Sequence, residues 1–375
     1  MRVVIAPDSF KGSLTAAAVC EAIGVGVLRA APDAEVVRIP MADGGEGTLD
    51  CIGAATGGQE VRLDVSGPLG APVTARYLLG ADATSAVVEL ASASGLPLLP
   101  PDGLAPLRAD TTGTGELIAD AVHRGARDVL VCVGGSASTD GGTGLLRALG
   151  ARFLDARGRE LPPGGAALLD LARIDLDAVS EAVRATRFRI ACDVTNPLVG
   201  PEGAAAVFGP QKGATPAEVE LLDRALTRFA DVLAEECGTS VHHLPGAGAA
   251  GGTCGGMLAV LDAAALPGCE LVAAAVGLPA ALVGADLVIT GEGRLDRQSA
   301  GGKVVSHVAR LAAEHRAPAV VLAGQLVPPL SPLHDLGLTA AFSIADGPRT
   351  LAEMTRSAPA LLADTAEQVV RLRAS

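Results

Sequence analysis

The chain has no tryptophan, one tyrosine and six phenylalanines, so aromatic side chains make up only 2% of its 375 residues. Its core must therefore be assembled from alanine, valine, leucine and isoleucine, the residues that fill tightly packed parallel α/β layers. The scarcity of aromatics leaves no stacking platforms for bases, and a formal net charge of −13 with a pI near 4.9 opposes a nucleic-acid groove. A negative surface also gives anionic substrates no general steering, so any anion site has to be local. Long apolar runs are missing too. The opening MRVVIAPDSF meets Pro7 at once, and the stretch Leu271 to Thr290 is broken by Gly277, Pro279, Gly284 and Asp286, so neither a signal peptide nor a membrane span is expected. The seven cysteines are odd in number, widely spaced and without CxxC, which predicts reduced, mostly buried thiols in a cytoplasmic protein. The six histidines show no zinc-ligand spacing, and His242–His243 reads as a loop pair.

Lysine is the scarcest charged residue. Of 29 basic residues only Lys11, Lys212 and Lys303 are lysines, and the remainder are arginines. Each of the three touches glycine, in FKG, QKG and GGK. A compact ammonium fits a phosphate or carboxylate in a space that a guanidinium fork would overfill, so the pattern points to anion loops.

At this length and with 49% apolar residues, the chain can bury two domains. Short β-branched runs repeatedly end in polar or glycine-rich loops and lead into helical patterns. RVVIA (residues 2–6) precedes PDSFKGS and a helix capped by Thr15 that runs to about Ala30; EVVRI (35–39) precedes PMADGGEGT. DVLVCV (128–133) precedes GGSASTDGG, RFRIA (187–191) precedes CDVTNPLVG, and DLVIT (286–290) precedes GEGRLDRQSAGGK. APAVVLAG (317–324) and TAAFSIADG (339–347) follow. Strands alternating with helices predict parallel sheets covered on both faces, with ligands beyond the carboxyl ends of the strands. Residues 59–91 differ, reading as three strands with period-2 alternation and a turn at Gly67–Pro68, an antiparallel meander. The expected fold is α/β with two domains: a parallel domain from both chain ends, residues 1–62 plus 284–375, and an inserted mixed-sheet α/β domain at 63–283. A long helix from Pro216 to about Glu236 is expected behind Thr215, with its charges on a solvated face.

The P-loop pattern GxxxxGK[ST] is absent, since Lys303 is followed by Val304. A literal GxGxxG occurs at Gly246 to Gly251, but it follows Leu-Pro rather than a β run and lacks the context of a dinucleotide fingerprint. The acids of the strand-end loops are Asp8, Asp43, Glu46, Asp140, Asp193, Glu292 and Asp296. Such carboxylates can accept a hydroxyl proton or hold Mg²⁺, and any one of them could instead cap a helix or close an Asx-turn, Asp140 and Asp43 above all. Asp193 stands directly at a strand's carboxyl end in a constrained turn. Lysines, glycine loops and carboxylates on strand ends together read as phosphoryl transfer.

With these loops in view, the sequence resembles the bacterial type I glycerate kinase family. The matching segments are IAPDSFKGSLTA, PMADGGEGT, TTGTGELI, GGSASTDGG, ACDVTNPLVGPEGAAAVFGPQKGA, GAGAAGG and DLVITGEGRLDRQSAGGK, and they span nearly the whole chain. The resemblance implies ATP-dependent phosphorylation of D-glycerate with Mg²⁺, 2-phosphoglycerate being expected before 3-phosphoglycerate. It also implies that the parallel domain is flavodoxin-like and three-layered, with the active site in the cleft between the domains. Carried over by motif, Asp193 and Lys11 would be catalytic, Asp193 as general base or orienter of the glycerate hydroxyl. Gly134, Gly135, Ser136, Gly291, Glu292, Gly293, Ser299, Gly302 and Lys303 would bind the nucleotide. Ser13, Asp43, Gly44, Gly45, Glu46, Asn196 and Arg294 would bind glycerate, and Asp193 and Asp296 would hold Mg²⁺. Two readings from other classes stay open at this point: a nicotinamide-dependent oxidoreductase on small hydroxy acids using GAGAAG, and a non-catalytic carboxylate-binding protein. No nucleic-acid or membrane partner is expected, and oligomeric state is open, a homo-oligomer included.

Overall fold

The computed structural model describes residues 1–296, 299 and 303–374. Its strands, in chain order, are β1 (Arg2–Ile5), β2 (Glu35–Arg38), β3 (Gln59–Ser66), β4 (Pro72–Leu79), β5 (Ser85–Glu89), β6 (Asp128–Cys132), β7 (Arg152–Leu154), β8 (Arg173–Asp175), β9 (Arg187–Ala191), β10 (Ala264–Leu266), β11 (Leu287–Leu295), β12 (Ala319–Leu326) and β13 (Leu338–Ser343). The chain divides into two compact units. One comprises Met1–Asp43, Asp50–Thr56 and Pro267–Ser375; the other comprises Gly44–Leu49 and Gly57–Leu266.

In the first unit a five-stranded sheet has the order β13-β12-β11-β1-β2, and every pairing is parallel. Numbered within the unit this is 2-1-3-4-5, the doubly wound flavodoxin-like order. Alternation of side chains along the strands feeds two separate apolar layers. Val4 and Val288 join the helices Gly268–Ala275 and Val304–Glu314 on one face. Val3, Ile5 and Ile289 join the helices Ala16–Ala30 and Leu351–Ala374 on the other. Each fully buried valine or leucine contributes about 1.5–3 kcal/mol. Thr15 caps the first of these helices, its hydroxyl accepting the Ala18 N–H at 3.2 Å. Gly26 lets this helix meet the C-terminal one, because a Cβ there would lie 2.0 Å from the Ala363 carbonyl oxygen.

The second unit holds a six-stranded mixed sheet of order β10-β9-β6-β5-β4-β3. The β3–β4 and β4–β5 pairs are antiparallel, as the meander pattern predicts, and β5, β6, β9 and β10 run parallel. A separate antiparallel β7–β8 pair had no sequence signal. The helix Pro216–Cys237 opens on a reciprocal capping box between Thr215 and Glu218 and buries Leu222, Leu226, Phe229 and Leu233.

The unit boundaries differ from those read at 62/63 and 283/284. Cys269, Val272, Leu278 and Leu282 belong to the same apolar layer as Val4 and Val288, which draws 267–283 into the first unit. Gln59 to Arg62 pair with β4 and so belong to the second. Among the described residues the seven cysteines form no disulfide, five of them are buried, and no helix is long and apolar enough to cross a membrane.

Candidate active site

In the first unit the topological switch point lies between β1 and β11, where the loops leaving the two strands diverge. Beyond β1 the chain folds back on itself: Phe10 N–H donates to the Leu14 carbonyl at 2.9 Å, and the Leu14 and Ser13 N–H groups donate to the Phe10 carbonyl at 3.0 and 2.7 Å. Gly12, at φ +72°, closes the turn. This geometry holds Lys11 at the tip, three-quarters exposed, with Nζ 3.9 Å from Asp43 Oδ2. Ser13 Oγ donates to the Thr355 carbonyl at 3.5 Å.

Asp8 is buried at the root of the loop. Its N–H donates to the Gly291 carbonyl at 2.8 Å and its Oδ1 accepts the Ser9 N–H at 2.6 Å. Burial, reinforced by the charge of Asp43, pushes its carboxyl up to about 6. Glu292, on β11, is pushed up to about 7 by burial; the Ser299 hydroxyl and the Lys303 charge act against that shift. Its Oε1 is buried without a hydrogen-bond partner among the described residues. Asp296 ties the following turn, its N–H donating to Ser299 Oγ at 3.2 Å while Ser299 N–H donates to the Asp296 carbonyl at 3.0 Å. Arg294 Nε lies 3.3 Å from Asp296 Oδ2. Lys303 occupies the N-cap position of the helix Val304–Glu314.

Lys11, Ser13, Asp43, Glu292, Gly293, Arg294, Asp296 and Lys303 thus line one pocket of about 460 Å³. Lysines flank two carboxyls that keep protons close to neutrality, a setting suited to holding an anion and exchanging a proton beside it. Gly291 is not part of the lining. It sits inside β11, where a Cβ would approach the Leu322 carbonyl oxygen to 2.8 Å, so strand packing explains the glycine. Gly302 lies outside the described residues. Sequence reading did not single out the C-terminal helix, whose Met354, Thr355 and Ala358 also line the pocket and which carries no motif.

The second unit gathers its own strand-end loops. Gly134, Gly135 and Ser136 leave β6, with both glycines exposed and Ser136 buried. Gly44 and Gly45 belong to this unit, whereas their neighbour Asp43 belongs to the first. A Cβ on Gly134 would stand 3.1 Å from the Gly45 Cα, so the two glycine segments abut. Glu89, at the end of β5, anchors the second segment by accepting the Leu49 N–H at 2.9 Å; sequence reading missed it because its role depends on burial. Glu46 is exposed.

Asp140 is fully buried and structural. It accepts the Thr111 N–H and hydroxyl at 3.1 and 2.8 Å and the Gly142 and Gly144 N–H groups at 3.3 and 3.1 Å. Asp193 is exposed just past β9. Asn196 spends its amide on its own loop, Nδ2 donating to the Glu202 carbonyl at 2.8 Å. The GAGAAG segment follows no strand but lies between the helices Pro216–Cys237 and Thr253–Val260, with its Gly248 N–H bonded to the Asn196 carbonyl at 3.0 Å. Among the described residues no group of three or more His, Cys, Asp or Glu side chains could cage a metal ion.

The chain is similar to known proteins over almost its full length. A glycerate kinase from Halalkalibacterium halodurans is 44% identical over 98% of this chain and 97% of its own. A glycerate 2-kinase from Escherichia coli K12 is 44% identical over 96% of this chain and 94% of its own. A crystal structure from Salmonella typhimurium LT2, of a protein assigned as glycerate kinase 2, superposes with a TM-score of 0.90 at 45% identity, covering 99% of this chain and 98% of that one. The model of the glycerate kinase family matches residues 3–374, and the chain belongs to that family.

Proposed function

We propose that the protein transfers the γ-phosphoryl group of ATP to D-glycerate, with the 2-hydroxyl as acceptor. The observation that carries this reading is the pocket at the β1/β11 switch point, in which Lys11 and Lys303 accompany Asp8 and Glu292 on a chain belonging throughout to the glycerate kinase family. Phosphoryl transfer asks the protein chiefly to position reactants and neutralise charge, and lysines on backbone-rich loops supply that. Lys11 and Lys303 would bind anionic oxygens of glycerate and ATP, with Ser13, Asp43 and Arg294 fixing the acceptor. Gly134, Gly135 and Ser136, with Gly44 and Gly45, would offer backbone N–H groups of the second unit to anionic oxygens.

Asp193 is the proposed general base. The glycerate hydroxyl oxygen attacks the γ-phosphorus, its proton passes to the Asp193 carboxylate, and ADP leaves with the electrons of the broken P–O bond. Mg²⁺ that arrives on nucleotide phosphates needs only one or two protein carboxylates. Asp296 and Asp193 would be those carboxylates, and the ion would neutralise charge developing on the transferred group. The position of GAGAAG between helices disfavours a nicotinamide site there.

The test is purified protein with D-glycerate, ATP and Mg²⁺, followed by ADP release and phosphorus NMR. A phosphoglycerate resonance coupled to the C2 proton is expected. Coupling to the C3 protons would move the product to the 3-position, and ADP release without phosphoglycerate, or no ADP at all, would overturn the reading.

A further inference from the structure

Lys212 is the one lysine outside the pocket of the first unit, and it is almost wholly buried, 2% exposed. No carboxylate lies within ion-pair distance of it among the described residues. Its Nζ donates instead to Ser136 Oγ at 2.9 Å and to the Ser138 carbonyl. An ammonium has protons to give and no lone pair to accept with, so Ser136 Oγ is fixed as an acceptor on its inner side. The hydroxyl's own proton is then left to point elsewhere, and no protein acceptor among the described residues takes it. The N–H groups of Gly134, Gly135 and Ser136 on the same loop likewise make no hydrogen bond to the protein among the described residues. Beside them Ser138 Oγ and Thr139 Oγ1 are buried with no hydrogen-bond partner among the described residues. The loop is thus a set of unused donors, held from beneath by a cation.

We propose that Lys212 is a positioning residue that commits the Ser136 hydroxyl to donate outward, to an anionic oxygen of a bound ligand. The inference rests on the kinase reading for its choice of ligands, a nucleotide phosphate or the glycerate carboxylate. Burial lowers the Lys212 ammonium to about 8, with Asp140 the one charged group whose field opposes that shift among the described residues. Below that pH the ammonium holds Ser136 in its outward-donating state. Above it the neutral amine can accept the hydroxyl proton, Ser136 turns inward, and the loop loses a donor.

The experiment is calorimetric titration of the full-length protein with ADP and, separately, with D-glycerate, from pH 7 to 9.5, for the wild type, Ser136→Ala and Lys212→Arg. The wild type is expected to lose about tenfold in affinity for one of the two ligands as the pH rises through 8, and that ligand is the one whose anion the loop takes. Ser136→Ala should bind that ligand more weakly at pH 7 and show no such step. Lys212→Arg, whose guanidinium keeps its proton, should bind with a flat profile. A wild-type profile flat for both ligands, or a step that persists in Ser136→Ala, would overturn the inference while leaving the kinase reading intact, and neither measurement depends on a substitution of Lys212 that folds. Failure of the wild type to bind either ligand at any pH would overturn both.

Discussion

Glu292 and Asp8 carry protons in the folded protein that they would have lost in an unfolded chain at the same pH. For an acid whose folded value is raised, the sign is fixed: stability is greatest below the unfolded value and falls as pH rises through the folded one. The window for Glu292 runs from 4.5 to about 7. Glu292→Gln in metal-free buffer should therefore melt higher than the wild type at pH 8, by several degrees for a burial cost on the order of 2–3 kcal/mol, and close to it at pH 4.5. Equal melting temperatures at pH 8 would show that the charge is not confined. The exposed residues of the same chemistry should behave differently. Lys11→Ala is expected to lower turnover about ten- to thousandfold, and Asp193→Asn to remove most of kcat with the circular dichroism spectrum unchanged. Near-normal rates in either folded variant would remove that residue from the mechanism.

Elements whose ends are marked by side-chain chemistry were legible in the sequence. Thr15 and Thr215 cap helices as their types and positions imply, and RFRIA is β9 to the residue. The Thr215 box is testable by itself: Thr215→Ala should cost about 1 kcal/mol and roughly 2–4 °C of melting temperature in a thermal melt. An unchanged melt would mean that tertiary packing alone holds the first turn. Elements that depend on a distant partner were not legible. GEGR reads as a loop, yet β11 runs through it to Leu295 because β12 continues alongside, pairing Arg294 with Gln325 and Leu295 with Leu326. Gly291 looks like a ligand-binding glycine and is a packing glycine. The same gap hides the burial of Lys212 and Glu89, since charge along a sequence says nothing about which charges end up beneath a loop. It also hides the contribution of the C-terminal helix to the pocket, which no motif announces.

On the scale of the whole chain, the second unit is nearly contiguous, whereas the first is assembled from both ends. Within the first, β1 pairs with β11 through Val3 and Leu287, which are 284 residues apart. Closing so long a connection is entropically costly, and contacts of that separation form late. In pulsed hydrogen exchange during refolding, the amides of β6 and β9 should therefore gain protection before those of β1 and β11. Simultaneous protection would mean that the two units fold as one.

That pairing also sets a clock on synthesis. At about 5–20 residues per second, roughly 15 s to a minute separates the emergence of β1 from that of its partner strand. During that wait Val3, Val4 and Ile5, completely buried in the finished protein, lack three of the five strands of their sheet. β1 thus leaves the ribosome long before it can be enclosed. The pace of translation, and whatever chaperone shields the nascent strand meanwhile, decides how long its apolar face stays in water.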